Sequence, residues 1–165
     1  DKKITVFVNG EARDIALVDA VVSDDFYTGA KAIWDPERIR RIAVTRCHPA
    51  TIGFSAVAGA YEIVEDTDDF GLCITLGSEG KGVLAPIAAG VLTPVYVSGS
   101  SRLDLGEPYT FTAENRCMIA LDGEREVRIH PGDEVTFVIN RDGPWRVLPR
   151  EILACAAGLG MYNTK

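Results

Sequence analysis

The stretch Ile119-Ala120-Leu121-Asp122-Gly123-Glu124-Arg125-Glu126-Val127 decides the fold. An apolar run ends in Asp-Gly and a charged triplet follows. Alternation then resumes through Val127 and Ile129, and again at Val135, Phe137 and Ile139. Asp-Gly between two alternating runs is a strong hairpin signal, because a tight primed turn needs positive φ at its central residues. The plain reading is a β-hairpin tip in which Asp122 satisfies its own backbone. The sharper reading makes Asp122 an acceptor held at a binding site.

The same pattern extends outward in both directions. Ile4, Val6 and Val8 alternate with outward residues, Asn9-Gly10 supplies a turn, and a return strand is expected over 15–22. A short strand follows at 31–34. Asp35 is placed to cap a short helical turn that Pro36 opens. Further strands are expected at 42–45, 53–58, 61–65, 71–76, 83–87, 94–97, 109–112, 117–121, 126–129, 134–140 and 145–148. Turn residues such as Gly77-Ser78-Glu79-Gly80, Pro131-Gly132-Asp133 and Arg141-Asp142-Gly143 separate nearly all of them. Many short strands divided by Gly and Pro predict an all-β fold, a β-sandwich of two sheets. One short C-terminal helix is predicted from about 149 to 157: Pro149 opens it, Ile152, Leu153 and Ala156 share a face, and Gly158 and Gly160 stop it. The whole of 1–165 reads as a single domain.

Composition narrows the function. The hydrophobic fraction of 47% with 25% charged residues is that of a globular protein with a real core. A net charge of −7 and the lack of a basic stripe speak against nucleic acid. No apolar run approaches the roughly 20 residues that span a bilayer, and no signal peptide precedes Ile4, so a cytoplasmic protein without a membrane partner is expected. The chain opens on Asp1-Lys2-Lys3 without an initiator Met and reads as a piece of something longer. Cys47, Cys73, Cys117 and Cys155 are scattered, without a CxxC pair, and are expected to be buried thiols; with His48 and His130 they show no zinc spacing, so no metal site is expected.

Four segments invite a chemical reading. Gly77-Ser78-Glu79-Gly80-Lys81-Gly82 fails as a phosphate loop, because Gly82 stands where the magnesium-holding Ser or Thr belongs and a strand follows. Cys47-His48 fails as a nucleophile and base, because adjacent residues of an extended chain face opposite ways. The run Gly53-Phe54-Ser55-Ala56-Val57-Ala58-Gly59 is small and apolar and would let a backbone or a ligand approach closely, with tight packing the simpler cause. Asp19, inside Val18-Asp19-Ala20-Val21-Val22, must lie near an edge, be hydrogen-bonded, or meet a ligand, because burying an unpaired carboxylate is costly.

Several ordered segments together carry a resemblance: Val18 to Val22, Phe26 to Trp34, Thr45-Arg46-Cys47-His48-Pro49, Ile52 to Gly59, Leu84 to Gly90, and Leu121 to Glu126. They resemble the C-terminal part of the ATP-NAD kinase superfamily, in the branch that includes acetoin-catabolism protein X. The resemblance covers about 18–148. It implies an all-β substrate domain following a nucleotide-binding α/β domain that this chain lacks. The dinucleotide of NAD kinases lies between two such domains. The family's ribose-binding Asn-Glu aligns with Asp19-Ala20. Its Thr-Gly-Ser-Thr-Ala loop aligns with Ile52-Gly53-Phe54-Ser55-Ala56, and its Asp-Gly aligns with Asp122-Gly123. The substrate-binding residues implied are Asp19, Gly53, Phe54, Ser55, Ala56, Asp122 and Gly123.

By the same resemblance the full-length protein would use ATP and Mg to phosphorylate NAD or a related nucleotide, and would form a homo-oligomer. The catalytic Gly-Gly-Asp-Gly segment of the family is not in this chain, so no catalytic residue is assigned here and the chain alone is expected to be inactive. Two other readings stand beside this one. One is a non-catalytic binding or oligomerisation domain associated with acetoin catabolism. The other is a lipid-kinase-like domain, which shares the two-domain plan but would want an apolar cleft.

Overall fold

A computed structural model describes residues 1–24, 36–88 and 90–164. The elements run β1 (Lys3–Val8), β2 (Glu11–Ala16), β3 (Asp19–Ser23), a 3₁₀ turn (Pro36–Arg38), β4 (Ile39–Val44), α1 (Phe54–Tyr61), β5 (Phe70–Gly77), β6 (Lys81–Ala88), β7 (Val91–Asp104), β8 (Pro108–Thr112), β9 (Cys117–Leu121), β10 (Arg125–Ile129), β11 (Glu134–Asn140) and α2 (Pro149–Gly158). They form two antiparallel sheets. The smaller has the order β2-β1-β11-β8 and the larger β10-β9-β3-β4-β5-β7-β6. The all-β two-sheet sandwich read from the sequence is the fold, and its C-terminal helix is α2.

The small sheet shows plain alternation. In β1 and β11 every second residue is buried, and Ile4, Val6, Phe137 and Ile139 meet the large sheet. The large sheet is buried on both faces in its middle, so β3 and β9 carry unbroken buried runs. Ala20, Val22, Ala43, Cys73, Ile119 and Leu121 face the small sheet. Their alternate neighbours Val21, Ile42, Val44, Leu72, Ile74 and Ala120 face a second core, completed by Val57 and Ala58 of α1 and by Ala85, Val95 and Val97 of the β6–β7 hairpin. Two cores on one sheet explain how a chain of this size buries so much continuous apolar sequence.

Polar ties join the layers. Lys2, at the root of β1, is buried and its ammonium donates to the carbonyls of Glu65, Asp68 and Phe70 at 3.1, 2.8 and 2.7 Å. Burial lowers its pKa, with the nearby Arg141 charge adding to the effect. Arg125 of β10 reaches across to the small sheet, pairing with Asp14 and donating to the Ile15 carbonyl at 2.8 Å.

The structure corrects five local expectations. Residues 53–58 are not a strand: Phe54–Tyr61 is α1. The expected strand at 61–65 is reduced to a single bridge between Cys47 and Val64. No strand forms at 145–148. The expected return strand over 15–22 is two strands in different sheets, broken at Leu17 and Val18. Cys155 is exposed, whereas Cys47, Cys73 and Cys117 are buried as expected, and burial pushes each of these three thiols up to about 11. The expected strand at 31–34 and the Asp35 cap lie outside the described residues. Pro36 does open a helical turn, of 3₁₀ type.

Candidate ligand site at the end of the large sheet

Asp122 begins the turn that the sequence announced. Asp122 and Gly123 both have positive φ, 51° and 71°, and the Glu124 N–H closes the turn on the Leu121 carbonyl at 3.0 Å. The carboxylate does something neither sequence reading foresaw. It leaves its own turn and accepts the backbone N–H groups of Leu17, Val18 and Asp19 at 2.8, 2.7 and 3.2 Å. In return the Asp122 N–H donates to the Asp19 carbonyl at 3.0 Å. These are the residues where the chain crosses from the small sheet to the large one. Amides at a break between strands have lost their ladder partners, and an ionised carboxylate is the strongest neutral-pH substitute.

Thr45, just beyond β4, secures the crossing from the other side. Its N–H donates to the Val18 carbonyl at 2.9 Å and its hydroxyl to the Leu17 carbonyl at 2.7 Å. The register explains the gathering. Asp19 pairs with Val44, and Ala20 with Leu121, so the start of β3 and the ends of β4 and β9 meet at one end of the sheet.

Asp19 is the unusual group there. It is only 9% exposed. Burial, and then the negative charge of Asp122, raise its pKa to about 7. Lost hydration and repulsion by the neighbouring charge both favour the protonated form. A carboxyl group near neutrality can donate or accept, and such groups concentrate at functional sites.

The segment after Thr45 leads to α1 and is tightly folded. Thr51 donates its hydroxyl to the His48 carbonyl at 2.7 Å, and Ser55 donates to the Ile52 carbonyl at 3.1 Å while meeting the Thr51 hydroxyl at 3.0 Å. Gly53 starts the helix with φ 73° and ψ −150°, a region essentially reserved for glycine. No side chain caps this helix start. Gly59 lies against the His48 backbone, where a Cβ would come within 2.4 Å of the carbonyl carbon. The small residues of this run thus allow close packing of backbone on helix, and Ser55 and Ala56 are buried inside it.

Of the residues implicated from sequence, Asp19, Asp122 and Gly123 come together, and Gly53, Phe54, Ser55 and Ala56 form the N-terminal end of α1, which packs on β3 and β4. Among the described residues no hydrogen bond joins Ser55 to either aspartate. Thr45 and the backbone of Leu17 and Val18 carry no site signal in the sequence. Only the break between β2 and β3 creates their role.

The fold and this cluster define a class: an all-β domain with a buried, protonatable carboxyl at the end of its larger sheet. Residues 2–142 match the family model of the acetoin catabolism protein X C-terminal domain, and the chain belongs to that family. It is 38% identical over 157 residues to the acetoin catabolism protein X of Cupriavidus necator, a match covering 93% of this chain and 43% of that protein. The chain thus spans less than half the length of this relative.

Proposed function

We propose that this chain is the substrate-binding half of an ATP-NAD kinase-like protein, which in full length phosphorylates NAD or a related nucleotide. One observation carries the reading: the Asp19 carboxyl is buried beside Asp122, no hydrogen bond reaches it among the described residues, and the position resembles the ribose-binding pair of that superfamily. A ribose hydroxyl would supply the missing partner, and a carboxyl poised near neutrality can accept from it. Gly53, Phe54, Ser55 and Ala56 would present the start of α1 to the nucleotide. Asp122 and Gly123 would act by fixing the Asp19 backbone, since the Asp122 carboxylate is already committed to three amides.

By the same resemblance, residues outside this chain would hold ATP and Mg. A homo-oligomer in the cytoplasm is part of the proposal. Among the described residues no helix is long and apolar enough to cross a membrane.

Calorimetric titration of the full-length protein with NAD, NADH and related nucleotides tests the site. Asp19→Asn is expected to weaken nucleotide binding at least tenfold, with the folded structure intact. Unchanged affinity for every nucleotide that the wild type binds would remove Asp19 from the site. A second reading, a non-catalytic binding or assembly domain in acetoin catabolism, is favoured by the name of the relative. It predicts no nucleotide binding to the full-length protein at all.

A further inference from the structure

The core between the two sheets stops short of one end of the sandwich. Val22, Arg41 and Thr75 form a row across β3, β4 and β5, because Val22 pairs with Arg41 and Arg41 with Thr75. Two residues further along the same strands, Ala43 and Cys73 pair and face the small sheet. Residues two apart on a strand share a face, so Arg41 and Thr75 are directed toward the small sheet as well. There they meet β8, its edge strand. The Arg41 guanidinium stacks over the Phe111 ring, 4.7 Å from the centroid, and donates to the Thr75 hydroxyl at 3.4 Å. The row borders a cleft of about 450 Å³, the size of a small-molecule site. Arg41 stands three residues along β4 from Val44, the partner of Asp19. That is roughly 10 Å of strand, so the cleft is separate from the Asp19 end.

Arg41 is unlike the arginines around it. Arg40, Arg46, Arg102, Arg125, Arg141 and Arg146 each donate to a carboxylate. Arg41 donates to none among the described residues, in a chain of net charge −7. The ring beneath it favours the positive charge but accepts no N–H in the guanidinium plane. The single long bond to Thr75 leaves most of its donors to whatever fills the cleft. A guanidinium held flat on a ring has its fork preset for two parallel bonds, and the carboxylate is the planar group that matches it. The rest of the lining narrows the ligand. Phe111, Ala113 and Cys117 give the cleft an apolar wall. Asp24, which spends its charge on Arg40, and Glu114 also border it. The Glu114 charge repels a dianion twice as strongly as a monoanion at the same distance.

We propose that this cleft binds a small organic monocarboxylate, whose carboxylate takes paired hydrogen bonds from Arg41 and whose carbon chain lies against Phe111, Ala113 and Cys117. The proposal holds whether or not the Asp19 end of the sheet binds a nucleotide.

The test uses the full-length protein, with acetate, butyrate and benzoate as probes and inorganic phosphate as competitor. Saturation-transfer NMR should detect saturable binding of at least one carboxylate, with a Kd of about 10 mM or tighter. Phosphate should fail to displace it at equal concentration. Arg41→Gln should weaken that carboxylate at least tenfold. Arg41→Lys, which keeps the charge and lacks the fork, should weaken it at least threefold, and it decides alone if Arg41→Gln does not fold. Arg128→Gln, which removes the same charge from β10, should leave the affinity unchanged. No saturable binding of any of the three carboxylates would overturn the proposal. So would displacement by phosphate, which would make the site one for phosphate. Wild-type affinity in the Arg41 variants would place the ligand elsewhere, and a loss in Arg128→Gln as large as in Arg41→Gln would reduce the effect to net charge; either result overturns it.

Discussion

At the scale of single residues, Asp19 and Asp122 form a pair with divided labour. Asp122 spends its charge on three amides, and Asp19 bears the consequence, an ionisation made difficult by burial and by its neighbour. An unfolded chain's aspartate titrates near about 4, whereas folded Asp19 titrates at about 7. Between those values the folded state holds a proton that the unfolded state has lost, so this group makes stability fall as pH rises from roughly 4 to 7, and keeps it reduced above. Asp19→Asn should remove that slope. In urea denaturation it is expected to stabilise the protein by at least about 1 kcal/mol at pH 8, the scale of one pKa unit, and to bring no gain at pH 4. Equal effects at both pH values would contradict the assignment. Asp122→Asn should act the other way. An amide can accept from at most one side while its NH₂ confronts another amide N–H, so a loss of about 1–3 kcal/mol is expected, the cost of a buried donor left unpaired. A variant as stable as wild type would show that Asp122 serves its turn alone.

At the scale of elements, α1 is where local sequence and fold diverge. Gly53 to Gly59 reads as a small apolar strand, and short apolar runs do not reveal their period. What makes it helical is the layer beneath. The large sheet offers an apolar face at Val21, Ile42 and Val44 that Val57 and Ala58 cover from one side of a helix. Gly59 lets that helix come down on the His48 backbone. Gly59→Ala should therefore cost about 1–3 kcal/mol as overpacking, despite alanine's better helix propensity. Gly158→Ala, in α2 with open space around it, should cost nothing. Thermal denaturation of the two variants side by side separates packing from propensity, and equal melting temperatures would defeat the close-packing account.

At the scale of the whole molecule, the chain is a sandwich whose large sheet is clad on both faces, with one end gathering the candidate site and a C-terminal helix left without cover. The sequence holds no Gly-Gly-Asp-Gly segment, which the proposed kinase reading assigns to the other half, and positioning of phosphates, metal and base is most of what phosphoryl transfer requires. The purified chain is expected to show no ATP-dependent phosphorylation of NAD above a contaminant control, even where the full-length protein is active. Measurable turnover by the chain alone would refute the division of labour proposed for the two halves.

The sequence by itself determined what depends on local stereochemistry and period. The turn at Asp122-Gly123 follows from the need for positive φ, β11 from alternation, β9 from a short apolar run closed by that turn, and α2 from Pro149 and the glycines that end it. Only the tertiary structure decided the break at Leu17 and Val18, the helix at Phe54–Tyr61 and the task of the Asp122 carboxylate. Each of these depends on partners about a hundred residues away, or on which face of a sheet needs covering. Such demands are set by the packing of layers, and no window of neighbouring residues contains them.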